Sequence, residues 1–135
     1  MSLLKLLFGN TRKTKGRKRR RGTVDFNAFR IRRKYPLSKH GYFGVSGENR
    51  RVIYANNHHR EAKSFFSKLS RGGRKKDALK KKTLRNNIDI RVMRDGGHVT
   101  YREKTSTPNS PAVDLGRLTG KVKNQRIHFL KKEKK

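Results

Sequence analysis

Cysteine is absent from this 135-residue chain, so neither a disulfide nor a thiolate metal site can form, and the redox compartment stays open. Acidic residues are scarce: nine Asp and Glu stand against 39 Lys and Arg, a formal charge of +30. The nine are scattered, with no close pair able to hold two Mg²⁺. Long apolar runs are missing too. The N-terminal MSLLKLLFGN is broken at Lys5, far short of the roughly 18 residues that would span a membrane. It also lacks the charge-first order and cleavage site of a signal peptide, and reads as a short helical anchor or a frayed end. There is no GxxxxGK[ST] phosphate loop and no zinc-finger spacing. HHRE puts His58, His59 and Glu61 at a helix start without a ligand pair at i, i+4. No metal site and no cofactor are expected.

What the chain has instead is positive charge around a modest apolar complement. Only 30% of it is hydrophobic and 36% is charged, which supports one small core of about half the chain. Self-repulsion at this charge opposes compaction, and a polyanion relieves it. Nucleic acid, RNA first, is the leading partner, ahead of an anionic membrane or an acidic protein. The run TRKTKGRKRRR, Thr11 to Arg21, contains no apolar residue. Its expected state is disorder until Arg12, Lys13, Arg17, Lys18, Arg19, Arg20 and Arg21 meet phosphate, and the other reading is a solubilising or localisation tail.

Four zones follow: a basic arm over 1–22, a loop-rich lead-in over 23–56, a helix-plus-sheet domain over 57–130, and a basic tail over 131–135. In the lead-in, Val24, Phe26 and Ile31 show no clean period, GYFGVSG carries three glycines, and RRVIYA is strand-like. Its aromatics serve either as core or as stacking surfaces for bases. From Asn57 an Asn cap precedes Ala62, Phe65, Phe66 and Leu69 at i, i+3, i+4, i+7, with Gly72 and Gly73 as the stop. This spacing predicts an amphipathic helix. RKKDALKKKTLRN reads as a basic helical turn or an exposed insertion. Ile88, Ile90 and Val92 alternate, Asp95-Gly96 marks a tight turn, and Val99 and Tyr101 alternate on the return. SPAVDLG and NQRIHFL add two short strands. The expected class is α+β: one amphipathic helix, N-terminal in its domain, packed on a roughly four-stranded antiparallel sheet, with basic disordered extensions.

If Val99 and Tyr101 point into the core, His98, Thr100 and Arg102 point out. Asp114, Arg126 and His128 fall opposite the apolar set on later strands, with Ser106 and Ser110 on the neighbouring loop. Imidazole suits proton transfer near neutral pH, and a phosphate in transition needs fixed cations and donors. These are parts for metal-free RNA cleavage through the ribose 2′-hydroxyl. The plainer reading is that His, Thr and Arg are ordinary occupants of a wet sheet face, and that Tyr101 is core rather than acid.

GYFGVSG, AKSFFSKLSRGG, DGGHVTYREKTSTPNSPAVDL and KVKNQRIHF together resemble the C-terminal toxin domains of bacterial polymorphic toxin systems. The resemblance runs from about Gly41 to Phe129 and is loosest in the basic insertion, Arg74 to Asn87. It implies a compact domain like the barnase/RelE group of metal-independent RNases. It also implies action in a cytoplasm, reached from another cell, and an acidic immunity or antitoxin partner. Carried over, the candidate site residues are His98, Tyr101, Arg102, Ser106, Ser110, Asp114, Lys123 and His128. Arg102 would hold the phosphate, His128 would transfer the proton, and Ser110-Pro111 would shape the loop that admits RNA. The basic arm and the excess charge depart from that pattern. Three readings stand: a toxin-type RNase, a non-catalytic nucleic-acid-binding or ribosome-associated protein, and a membrane-active basic protein, which lacks a long amphipathic basic helix.

Overall fold

The computed structural model describes residues 21–47, 50–76 and 88–133. The arm residues Arg12 to Arg20, the leucine run and most of the basic insertion lie outside these. Among the described residues two helices, α1 (Val24–Arg30) and α2 (His58–Leu69), accompany seven strands: β1 (Val45–Gly47), β2 (Arg50–Ala55), β3 (Arg74–Lys75), β4 (Ile88–Val92), β5 (His98–Arg102), β6 (Ala112–Gly116) and β7 (Gln125–Lys131).

The strands form one sheet in the order β1-β2-β7-β6-β5-β4-β3. Every pairing is antiparallel except β2 with β7, which is parallel and sets Ile53 beside Phe129. The expected four-stranded antiparallel sheet is therefore corrected to a seven-stranded mixed one. The four strands legible in the sequence, β4 to β7, do form an antiparallel meander. What local alternation cannot reveal is a partner far away in the chain, and β2 is joined to β7 across the whole helix and meander. The lead-in is also more regular than expected. Thr23 caps α1 by accepting from Phe26 N at 3.2 Å, and β1 and β2 follow.

α2 begins at Asn57, whose side chain accepts from Arg60 N, an ordinary N-cap that satisfies an otherwise unpaired amide. Its buried stripe is Ala62, Phe65, Phe66 and Leu69. The stripe packs on Val99, Tyr101, Val113, Leu115, Ile127 and Phe129 from the sheet, with Val24, Ala28, Tyr35 and Phe43 closing the other side. Each large side chain so buried contributes about 1.5–3 kcal/mol. The GYFG segment has a physical cause. Gly41 and Gly44 have φ of +93° and +69°, and a Cβ on either would stand 2.3 Å from a backbone carbonyl oxygen, of Lys121 and Val52 respectively. Only glycine fits there. Between them Phe43 is fully buried and its N–H donates to the Gln125 side chain at 2.9 Å.

Two polar contacts fix the helices. Asn27, buried in α1, donates to Leu69 O at 2.7 Å and Arg71 O at 3.0 Å, satisfying carbonyls at the end of α2. Tyr35 donates to the Glu61 carboxylate, which also pairs with Lys34 at 3.1 Å. That hydroxyl and then the Lys34 and Lys68 charges hold the Glu61 carboxyl below its usual range, against the opposing effect of burial.

Asn27→Ala should cost about 1–3 kcal/mol, because two carbonyls lose their donor; urea denaturation measures it. Glu61 titrates lower in the folded chain than in the unfolded one. Its contribution is therefore complete above the ordinary Glu range and is lost as pH falls through the lowered folded value. Glu61→Gln should remove that part of the acid limb from a stability-versus-pH profile.

Candidate functional site

Register and period-2 alternation assign the second face of the sheet, away from α2. One cross-strand row reads Val45, Val52, His128, Ala112, Arg102, Ile88, and the next reads Arg126, Asp114, Thr100, Ile90. A third joins Gly116, His98 and Val92. The face is mixed rather than wholly wet. Ile88, Ile90 and Val92 belong to it, while Asp89 and Arg91 of β4 turn to the helix side, where Arg91 lies over the Phe66 ring. Val52 and Ile90 are buried, so apolar flanks enclose a polar centre on β5, β6 and β7.

Arg102 and His128 thus share a face and a row, separated by Ala112. Two strand spacings put their backbones about 10 Å apart, within reach of a long Arg side chain. Asp114 binds both neighbouring guanidiniums: Arg102 Nε at 2.6 Å, and Arg126 through Nε at 2.6 Å and Nη2 at 3.1 Å. Two cations around one carboxylate leave a net positive charge, and orient each Arg through its Nε edge. Exposed pairs of this kind contribute at most about 1 kcal/mol, so their effect is geometric more than stabilising.

His128 is 5% exposed, and its Nδ1 shares a 2.9 Å hydrogen bond with Ser110 Oγ. Ser110 is itself buried and sits at the end of the loop from Glu103 to Ser110. Asn109 takes a φ of +56° there, a conformation Asn tolerates better than most residues, and Pro111 keeps Ser110 extended. Thr105 Oγ1 donates to Ser110 O at 2.7 Å. The helix supplies the remaining clamp: His58 Nε2 donates to Asn109 O and His59 Nε2 to Asn109 Oδ1, each at 2.9 Å. A groove of about 370 Å³ runs along this loop, lined among others by His59, Lys104, Thr105, Asn109 and Ser110.

The other candidates are not gathered here. His98 stands at the opposite end of β5, about 13 Å along the strand from Arg102. Its pKa is lowered by burial and then by the Lys76 and Arg117 charges, which favours the neutral imidazole. Tyr101 turns to the helix face, against Phe66. Its buried hydroxyl makes no hydrogen bond, and burial, with the Glu103 charge, pushes its pKa up to about 12. The acid role considered for Tyr101 on the polar face has no geometric basis. Ser106 is exposed on the loop, Lys123 is exposed beyond β6, and Arg21 is exposed ahead of α1. The clamp from His58 and His59 escaped sequence reasoning, which weighed that pair only as metal ligands. Among the described residues no cluster suits a metal ion, and no helix is long and apolar enough to cross a membrane.

Comparison with family models, with curated proteins and with solved structures gave no match.

Ser110→Ala removes the partner of a buried imidazole nitrogen. Stability should fall by about 1–3 kcal/mol, and the His128 ring resonances should shift while those of His98 stay in place, as followed by NMR.

Proposed function

We propose that this protein targets nucleic acid and cleaves RNA without a metal, through the ribose 2′-hydroxyl, at the loop end of the second sheet face. The observation that carries the reading is the shared row of Arg102 and His128, with Ser110 fixing the imidazole. The chemistry needs a base at the 2′-oxygen and a cation at the phosphate. His128 takes the 2′ proton as O2′ bonds to phosphorus. Arg102, oriented by Asp114, neutralises the pentacoordinate phosphate. The P–O5′ bond then breaks and the proton returns to O5′, giving a cyclic phosphate and a free 5′-hydroxyl. Because His128 and Ser110 are buried, substrate entry requires the Thr105–Ser110 loop to move aside. The excess charge supplies the affinity and the salt dependence. In this reading the protein is toxin-like and acts in a cytoplasm, and an acidic immunity protein covers the basic surface.

A second reading, nucleic-acid binding without catalysis, draws on that same burial and on the engagement of Arg102 and Arg126 by one carboxylate.

The two part on purified protein with RNA in excess EDTA. Cleavage by wild type should fall on the order of 100-fold or more in His128→Ala, and also in Arg102→Ala, while His128→Ala keeps its affinity for the same RNA. If wild type binds RNA with a steep salt dependence and never cuts it, the catalytic reading fails and the binding one remains. Growth arrest on bacterial expression of wild type, absent from the double variant, would test the toxin character.

A further inference from the structure

A larger cleft than the loop groove lies elsewhere, on the helix side of the sheet, where the C-terminal ends of α1 and α2 meet. It measures about 520 Å³ and takes six cations, Arg30, Arg32, Arg33, Lys34, Lys68 and Arg71, with no carboxylate among its lining residues. Helix dipoles account for two of them. Arg30 and Lys68 occupy last turns, where a cation complements the exposed carbonyls. They do not account for the other four. Glu61 pairs with Lys34 and also feels the Lys68 charge, which leaves Arg30, Arg32, Arg33 and Arg71 without a carboxylate partner among the described residues. Like charges so close repel, and only a ligand carrying several negative charges would relieve them together.

Part of the cleft is already rigid. Arg32 Nη1 donates to Phe29 O at 2.7 Å, and its guanidinium lies 4.0 Å from the centre of the Phe29 ring. Arg30 rests over Phe26, and Lys34 over Tyr35. Cations held by rings and carbonyls lose little freedom when they meet an anion. Arg33 and Arg71, by contrast, make no side-chain hydrogen bond or ion pair among the described residues, which leaves their donors available to a ligand there.

We propose that this cleft is a second binding site for the sugar-phosphate backbone of RNA, separate from the sheet face. The inference rests on the nucleic-acid reading above and narrows the substrate. A helix layer and the sheet, on the order of 20 Å, separate the two sites. A short single strand cannot engage both, whereas a folded RNA wrapped around the edge of the domain can. The cleft is a holding site that selects long, structured RNA.

The test uses the full chain, a stem-loop RNA and fluorescence anisotropy over a range of salt concentrations in EDTA. Each lost phosphate contact should reduce the salt slope by about 0.9 for duplex RNA treated like B-DNA. R33Q/R71Q should therefore lower the slope by about 2 and weaken binding. K39Q/K121Q removes the same charge from exposed loops outside the cleft and should leave the slope near wild type. If the first pair unfolds, as judged by circular dichroism, R33Q/K68Q takes its place. Equal slopes for the cleft and control variants would overturn the cleft proposal and leave the nucleic-acid reading intact. A wild type that binds no RNA would overturn both. Cleavage of a short oligonucleotide should be unchanged in R33Q/R71Q, and a loss there would show that the two sites are not separate.

Discussion

The ring of Phe65 joins parts of the chain that lie far apart in sequence. Tyr35, from the loop after α1, stands edge-on to it at 4.9 Å, Phe43 of the GYFG segment does so at 5.1 Å, and Phe129 of β7 lies at 5.5 Å. Edge-to-face pairs add about 0.5–1.5 kcal/mol each beyond simple burial, and in this protein they also set direction. Phe129 can point toward α2 only if its neighbour His128 points away. The same contact that closes the core thus delivers the imidazole to the opposite face, in line with Arg102. Core and candidate chemistry are consecutive residues of one strand.

Five of the nine acids hold parts of the fold together. Asp25 accepts from the backbone of Lys121 and Val122 at 2.8 and 3.0 Å, tying the loop before β7 to α1. Asp95 closes the β4–β5 turn by accepting from Gly97 N, Asp89 holds Arg91, and Glu61 serves Tyr35 and Lys34. Asp114 alone lies among the polar centre of the second face. With these carboxylates so engaged, most of the described Lys and Arg side chains form no ion pair among the described residues. Electrostatic freedom of that kind governs encounter with a polyanion and says little about which one.

Legibility in the sequence followed the range of the interaction. The α2 stripe, its Asn57 cap and the β4–β7 meander were readable because each is written within a few residues: a 3.6 period, a turn at Asp95-Gly96, an alternation. The parallel β2–β7 pairing was not, since nothing in RRVIYA names a partner across the chain. Alternation also told that Ile88, Ile90 and Val92 share a face without telling which face. The cross-strand register decided that, putting Ile90 opposite Thr100 and not beside the core tyrosine. At the candidate site, the outward direction of Arg102, Asp114 and His128 was legible. The Ser110–His128 bond and the grip of His58 and His59 on Asn109 were hidden, because loop closure depends on the tertiary fold.

The strand order has a consequence for how the molecule comes into being. β7 is made after all the others, yet it lies between β2 and β6. Before it emerges, the chain holds only two half-sheets, a β1–β2 hairpin and the β3–β6 ribbon, with α2 lacking part of its floor. Neither half contains His128, so no partly synthesised molecule can carry the complete polar centre. Closure of the sheet and arrival of His128 on its second face therefore coincide late in synthesis, and until then Arg102 and Asp114 stand without the imidazole proposed to act beside them.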